Sequence, residues 1–241
     1  MGQYFDDYYT PPRILRTLAL AGVSHFAYSS TSTVITDDAE FLLEERIAMH
    51  ESSNGKAKPI LWVTHDMLKH SRDLSLYMND TGGKICGLKV HGVSELWEPF
   101  GKDLKRVFDI AKERGIFVML HTGEHEECEA GIYKRICKTF SEVPVVLAHG
   151  RPILQTIEML QDCLNTFVDT SFMPHEHLRM LLEKEFADKI LFGTDTPIPG
   201  RHLKSSLPRH LRGRIATSMK IAGKDWKKIS WMNAQKLIHF I

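Results

Sequence analysis

Three apolar runs in this sequence each end in a side chain able to bind a metal or move a proton, followed by a small residue. They are Phe117-Val118-Met119-Leu120-His121-Thr122-Gly123, Val145-Val146-Leu147-Ala148-His149-Gly150 and Leu191-Phe192-Gly193-Thr194-Asp195-Thr196-Pro197. One histidine at the end of such a run is more often a capped structural residue than a ligand. Three endings of the same kind favour the functional reading, because parallel α/β barrels build their sites at the C-terminal ends of the strands. Neutral imidazoles with a carboxylate suit Zn²⁺, and Mn²⁺ or Fe²⁺ almost equally. His121, His149 and Asp195 are the expected metal-site residues.

A fourth run, Ile85-Cys86-Gly87-Leu88-Lys89-Val90-His91, places Gly87, Lys89 and His91 on one face of a strand. That face suits the interior of a barrel, where Lys89 would line the site or form an internal ion pair. Two other histidine spacings are decoys. His175-Glu176-His177 follows Pro174 and opens a helix, where residues two apart diverge by about 200°. His121 and His125 are spaced for one helix face, yet Gly123 places them in a loop.

The elements that must carry these residues alternate. Strand candidates are Val23–Tyr28, Pro59–Thr64, Ile85–His91, Ile116–His121, Pro144–His149, Thr166–Asp169 and Lys189–Asp195. Their nearly continuous apolar character is that of strands buried on both faces of a parallel sheet. Between them lie helical stripes. Leu104, Val107, Phe108 and Ala111 precede a stop at Gly115, and Ile153, Ile157, Leu160 and Leu164 follow Pro152. Strand then helix, without return hairpins, predicts parallel βαβ units in one α/β domain covering 1–241. Seven strands fit an open sheet as well as a closed barrel short of one strand, so periodicity leaves the two architectures open.

Composition narrows the class. The 241 residues are 43% hydrophobic and 25% charged, with 31 basic and 30 acidic side chains and a net charge of +1. That is an ordinary globular balance that gives no support to a nucleic-acid or membrane surface, and no apolar run is long enough to span a membrane. Cys86, Cys128, Cys137 and Cys163 match neither a zinc-knuckle spacing nor a disulfide framework, and the polar start is not a signal peptide. The expectation is a cytoplasmic enzyme with reduced thiols.

The strand-ending His, the His-Gly after the next strand and the later Gly-Thr-Asp-x-Pro resemble strands five, six and eight of the amidohydrolase superfamily. The nearest branch is its amidohydrolase-related group of metal-dependent hydrolases, lactonases, hydratases and decarboxylases. The likeness runs through most of the chain to Asn233-Ala234-Gln235-Lys236-Leu237, which is similar to the group's closing helix. It implies a (β/α)₈ TIM-barrel-like fold lacking its first strand. That strand would end in His-x-His, and nothing upstream of Val23 supplies it. Gly2-Gln3-Tyr4-Phe5 and Tyr8-Tyr9-Thr10-Pro11-Pro12 match the continuation after it, so the start reads as falling just past that strand, through an internal start site or in a truncated relative.

By the same resemblance, His121 and Asp195 become metal ligands and His149 a further ligand or a base beside the metal. Lys89 matches the lysine that bridges two metals in binuclear members, although the mononuclear branch fits this chain better. A divalent ion held there would polarise a carbonyl and bring the pKa of bound water towards about 7. Asp195 would take and return the proton, and Arg151 would hold a substrate carboxylate in a bidentate fork. The implied function is hydrolysis of a small-molecule amide, ester or lactone. The alternatives are decarboxylation on the same scaffold and a catalytically impaired barrel kept for binding. With two or three ligands, metal binding should be weak, and exposed strand edges should favour a homodimer.

Overall fold

The computed structural model describes residues 1–4, 7–36, 38–199 and 206–238. The described residues divide into two compact units, one of 1–86 with 195–216 and one of 87–194 with 217–238.

The first unit opens with an element the alternation of strand and helix does not predict. Strands β1 (Gly2–Tyr4) and β2 (Asp7–Tyr9) form an antiparallel hairpin. Phe5, part of the motif read as continuing past a missing strand, lies outside the described residues. Helix α1 (Pro11–Leu20) follows, with proline in its first turn, where no N–H is needed. Strands β3 (Phe26–Tyr28) and β4 (Ala57–Trp62) pair in parallel. Helix α2 (Ala39–Ser53) connects them. The Asp38 carboxylate accepts from the N–H groups of Glu40 and Phe41 at its start, and Asn54 closes it in the left-handed region. The short helices α3 (His65–Lys69) and α4 (Ser71–Tyr77) follow β4. The core of this unit gathers Met1, Tyr9, Ile14, Leu18, Met49, Ala57 and Leu211.

The second unit holds five parallel strands that pair in chain order. They are β5 (Gly87–Val90), β6 (Phe117–His121), β7 (Val145–Ala148), β8 (Thr166–Asp169) and β9 (Ile190–Leu191). Helix α5 (Lys102–Arg114) buries Leu104, Val107, Phe108 and Ala111, and Gly115 ends it at φ 63°, as the apolar stripe and glycine predict. Helices α6 (Lys134–Thr139), α7 (Ile153–Asp162) and α8 (His175–Glu183) follow the next three strands. The stripe predicted to reach Leu164 stops short. Cys163 is extended, so α7 ends at Asp162 and Leu164 stands 85% exposed. Helix α9 (Leu207–Ala222) leads to α10 (Asn233–Ile238). Asn233 is buried, and its amide donates to the carbonyls of Ala187 and Ile190, 2.8 Å each, tying the closing helix to β9.

All seven predicted strands are present and parallel where paired, each within a few residues of its predicted limits. No helix among the described residues is long and apolar enough to cross a membrane.

Candidate functional site

The parallel register of the second unit sets which side chains share a face. Gly87 pairs with Phe117, Lys89 with Met119 and Val90 with Leu120, so His91 and His121 come next in line on one face. Their rings stack with centroids 3.9 Å apart. His121 in turn pairs with Ala148 of β7. Simple alternation would then send His149, the next residue, to the opposite face. Instead His149 takes a left-handed backbone, φ 70°, and its ring meets that of His121 edge-on at 4.8 Å. Gly150 follows at φ 58°, with Val168 Cγ2 only 2.6 Å from where a Cβ would sit. The His-Gly pair thus turns an outward position inward.

Lys89, His121 and His149 are all buried. Burial, then the neighbouring imidazole and Lys89, pushes the pKa of His91 down to about 2. Burial also lowers that of His121, against the opposing hydrogen bond to Glu124. Both imidazoles are neutral at pH 7. His121 Nε2 lies 2.5 Å from a Glu124 carboxylate oxygen, while its Nδ1 is buried with no hydrogen-bond partner. The hydrogen bond from His121, helped by Arg151, draws the pKa of Glu124 down to about 2. A neutral His121 therefore donates from Nε2 to an ionised Glu124, leaving its lone pair on Nδ1.

Glu124, at φ 71° in the loop after β6, also accepts from Arg151 Nη2 at 2.7 Å. Arg151 Nε reaches the Thr122 carbonyl at 3.1 Å. Arg151, expected to fork a substrate carboxylate, thus has one arm on an internal carboxylate and the other on a backbone carbonyl. Thr122 donates to the Ala148 carbonyl at 2.6 Å and accepts from the Arg151 N–H at 2.9 Å, joining the ends of β6 and β7.

Two further residues belong to this cluster. Asp169 ends β8 as His121 ends β6, an apolar run meeting a polar side chain, so the signal was present in the sequence. Ser171, two residues on, carried none. Glu124 was also unmarked, since only the fold brings it back over its own strand. His175 and His177 lie at the start of α8, as the helical reading of that spacing predicts. Asp195 belongs to the first unit, half-buried at φ 50°, where its carbonyl accepts from the Ile198 N–H at 2.9 Å.

The donors are of the kind a divalent metal takes, neutral imidazoles and one orphaned ring nitrogen. Their number falls short. No group of three histidine, cysteine, aspartate or glutamate side chains among the described residues is arranged to hold an ion. The described residues do not make a metal site by themselves.

No curated protein matches the sequence. Solved structures do. A probable 2-pyrone-4,6-dicarboxylic acid hydrolase from Acinetobacter baumannii, with citric acid bound, is 15% identical with a TM-score of 0.69, covering 100% of this chain and 93% of its own. A 2,6-dihydroxybenzoate decarboxylase from Rhizobium is 14% identical, TM-score 0.65, covering 98% and 88%. An amidohydrolase from Burkholderia multivorans with bound zinc is 12% identical, TM-score 0.70, covering 96% and 89%. At these identities the likeness shows the fold, that of a TIM-barrel α/β protein. The sequence profile of the family described as amidohydrolase matches residues 75–240, a span that holds every residue of the histidine cluster and Asp195. The chain belongs to the amidohydrolase family.

Proposed function

We propose that this protein is a metal-dependent hydrolase that cleaves an amide, ester or lactone in a small-molecule substrate. The observation that carries the reading is the cluster of His91, His121 and His149 at the ends of three adjacent strands, in a chain of this family. His91 and His121 are held neutral, so each ring keeps one unprotonated nitrogen and carries no charge to repel a cation. His149 and Asp195 are the groups assigned to proton transfer, and Lys89 and His91 those that contact substrate, joined by Arg151 where a substrate carboxylate displaces Glu124. His121, His149 and Asp195 are the proposed metal ligands, with zinc favoured over manganese or iron. The zinc-bound structure from Burkholderia multivorans supports that choice. The protein is read as one barrel domain over 1–241, cytoplasmic and able to form homodimers.

Decarboxylation is the second reading, favoured by the structural likeness to the dihydroxybenzoate decarboxylase. Elemental analysis after zinc loading and desalting, with a panel of lactones, esters and aromatic acids, separates these readings. Substoichiometric zinc on the parent protein, lost in His121→Ala, and slow acid release without carbon dioxide is the expected result. Carbon dioxide release assigns the decarboxylase. Neither metal nor turnover sinks both and leaves a binding role.

A further inference from the structure

The hydrogen bonds around His149 fix which of its two nitrogens carries the proton. His149 Nδ1 lies 3.1 Å from the backbone carbonyl oxygen of Ser171 and 2.8 Å from the Ser171 hydroxyl. A carbonyl oxygen only accepts, so that nitrogen must be a donor. The hydroxyl agrees, because its single proton is already committed. Ser171 Oγ lies 2.5 Å from Asp169 Oδ1, a carboxylate oxygen that only accepts when ionised. The serine oxygen therefore turns a lone pair towards His149. Asp169 Oδ1 also accepts from the backbone N–H groups of Ser171 at 2.8 Å and His149 at 3.1 Å. One buried oxygen thus fixes the left-handed backbone of His149 and the serine that orients its ring.

The pocket around that carboxyl is closed from behind. A Cβ at Gly193 would stand 2.9 Å from Asp169 Cγ, and the N–H of Gly193 donates to Thr170 Oγ1 at 3.1 Å. Asp169, Ser171 and His149 are all buried, at 8%, 2% and 4% exposure, so water is poorly placed to replace any link. The ring of His149 has Phe172 edge-on at 5.7 Å and His121 at 4.8 Å.

We propose that Asp169 and Ser171 are positioning residues that hold His149 in the Nδ1–H tautomer, presenting Nε2 as the unprotonated nitrogen. In consequence the electron pair that His149 offers to a substrate or a proton leaves from Nε2, whichever reaction the cluster performs. This assignment rests on the proposed function only for its catalytic meaning; the tautomer is a property of the folded chain.

The test is a long-range proton–nitrogen correlation spectrum of the full-length protein labelled with ¹⁵N-histidine, without added metal and above the titration range of free imidazole. His149 is identified by the signal lost in His149→Gln. The expected spectrum shows a protonated Nδ1 and an unprotonated Nε2. In Ser171→Ala the Nε2–H form should appear alongside it, since only the 3.1 Å carbonyl contact remains. A parent protein with Nε2–H overturns the proposal, and so does a Ser171→Ala spectrum identical to the parent's. The parent spectrum alone decides the tautomer should Ser171→Ala not fold. If turnover is found, Ser171→Ala should lower kcat about 10- to 100-fold with KM little changed. The expected tautomer in a protein that turns over nothing would sink the hydrolase reading and leave this one standing. Turnover with the opposite tautomer would do the reverse.

Discussion

His149 carries a conformational cost in its left-handed backbone, and the cost has a purpose. A non-glycine residue at positive φ is uncommon and is held only where surrounding contacts determine it. Here the Asp169 carboxylate holds the backbone N–H, and the gain is a ring turned to the same side as His121. Gly150 makes the turn feasible, being left-handed itself and packed against Val168. Gly150→Ala should therefore lose about 1–3 kcal/mol by overpacking, with left-handed strain added to it. Urea unfolding measures this, and an unchanged midpoint would show that the turn relaxes freely. The sequence made His121 and His149 legible as strand endings. It could not show that alternation alone points them to opposite faces, because that depends on register between strands. Glu124 was illegible for a related reason: a loop residue beside a glycine has no periodicity to betray where its carboxylate returns.

At the scale of elements, the parallel strands were legible because buried strands leave long apolar runs, and the helices because their stripes end at capping residues. The N-terminal hairpin was not. Its strands are three residues each, too short for an alternating pattern to register. What holds it is a buried carboxylate. Glu45 of α2 accepts from Tyr8 at 2.7 Å, Ser30 at 2.6 Å and Ser32 at 2.8 Å, while the Gln3 N–H donates to Ser32 Oγ at 2.9 Å. Glu45→Ala removes the common acceptor of three hydroxyls. The expected result is faster amide exchange at Gln3 and Tyr8, with α5 protected as before. Exchange unchanged at the hairpin would mean that the packing of Met1 and Tyr9 holds it alone. At the other end of the chain, Asn233→Ala would leave the carbonyls of Ala187 and Ile190 without their donor. Loss of a buried partner costs about 1–3 kcal/mol, so the unfolding midpoint should fall. Asn233→Asp should be worse, since it sets a carboxylate against two carbonyl oxygens, and a neutral result for either variant would remove Asn233 as the clamp of the closing helix.

The whole molecule poses a question that neither the strand pattern nor the site answers: whether its two compact units unfold as one. The polypeptide passes repeatedly from one unit to the other, so each is assembled from separated segments and neither is an independent stretch of chain. On the proposed reading of one domain over 1–241, the two should open together. The four cysteines supply the means to test it, because all are buried, with Cys86 in the first unit and Cys128, Cys137 and Cys163 in the second. Burial pushes the Cys86 thiol up to about 12 and raises the other three as well. The thiolate is the reactive form, so at pH 8 Cys86 would be ionised in only about one molecule in 10⁴. A bulky aromatic disulfide reagent must therefore wait for opening, and its rate reports that opening. One cooperative domain predicts that all four thiols react at a common rate, rising together as urea is added below the transition. A fast phase of one thiol followed by a slow phase of three would show the first unit opening alone and would divide the protein into two domains.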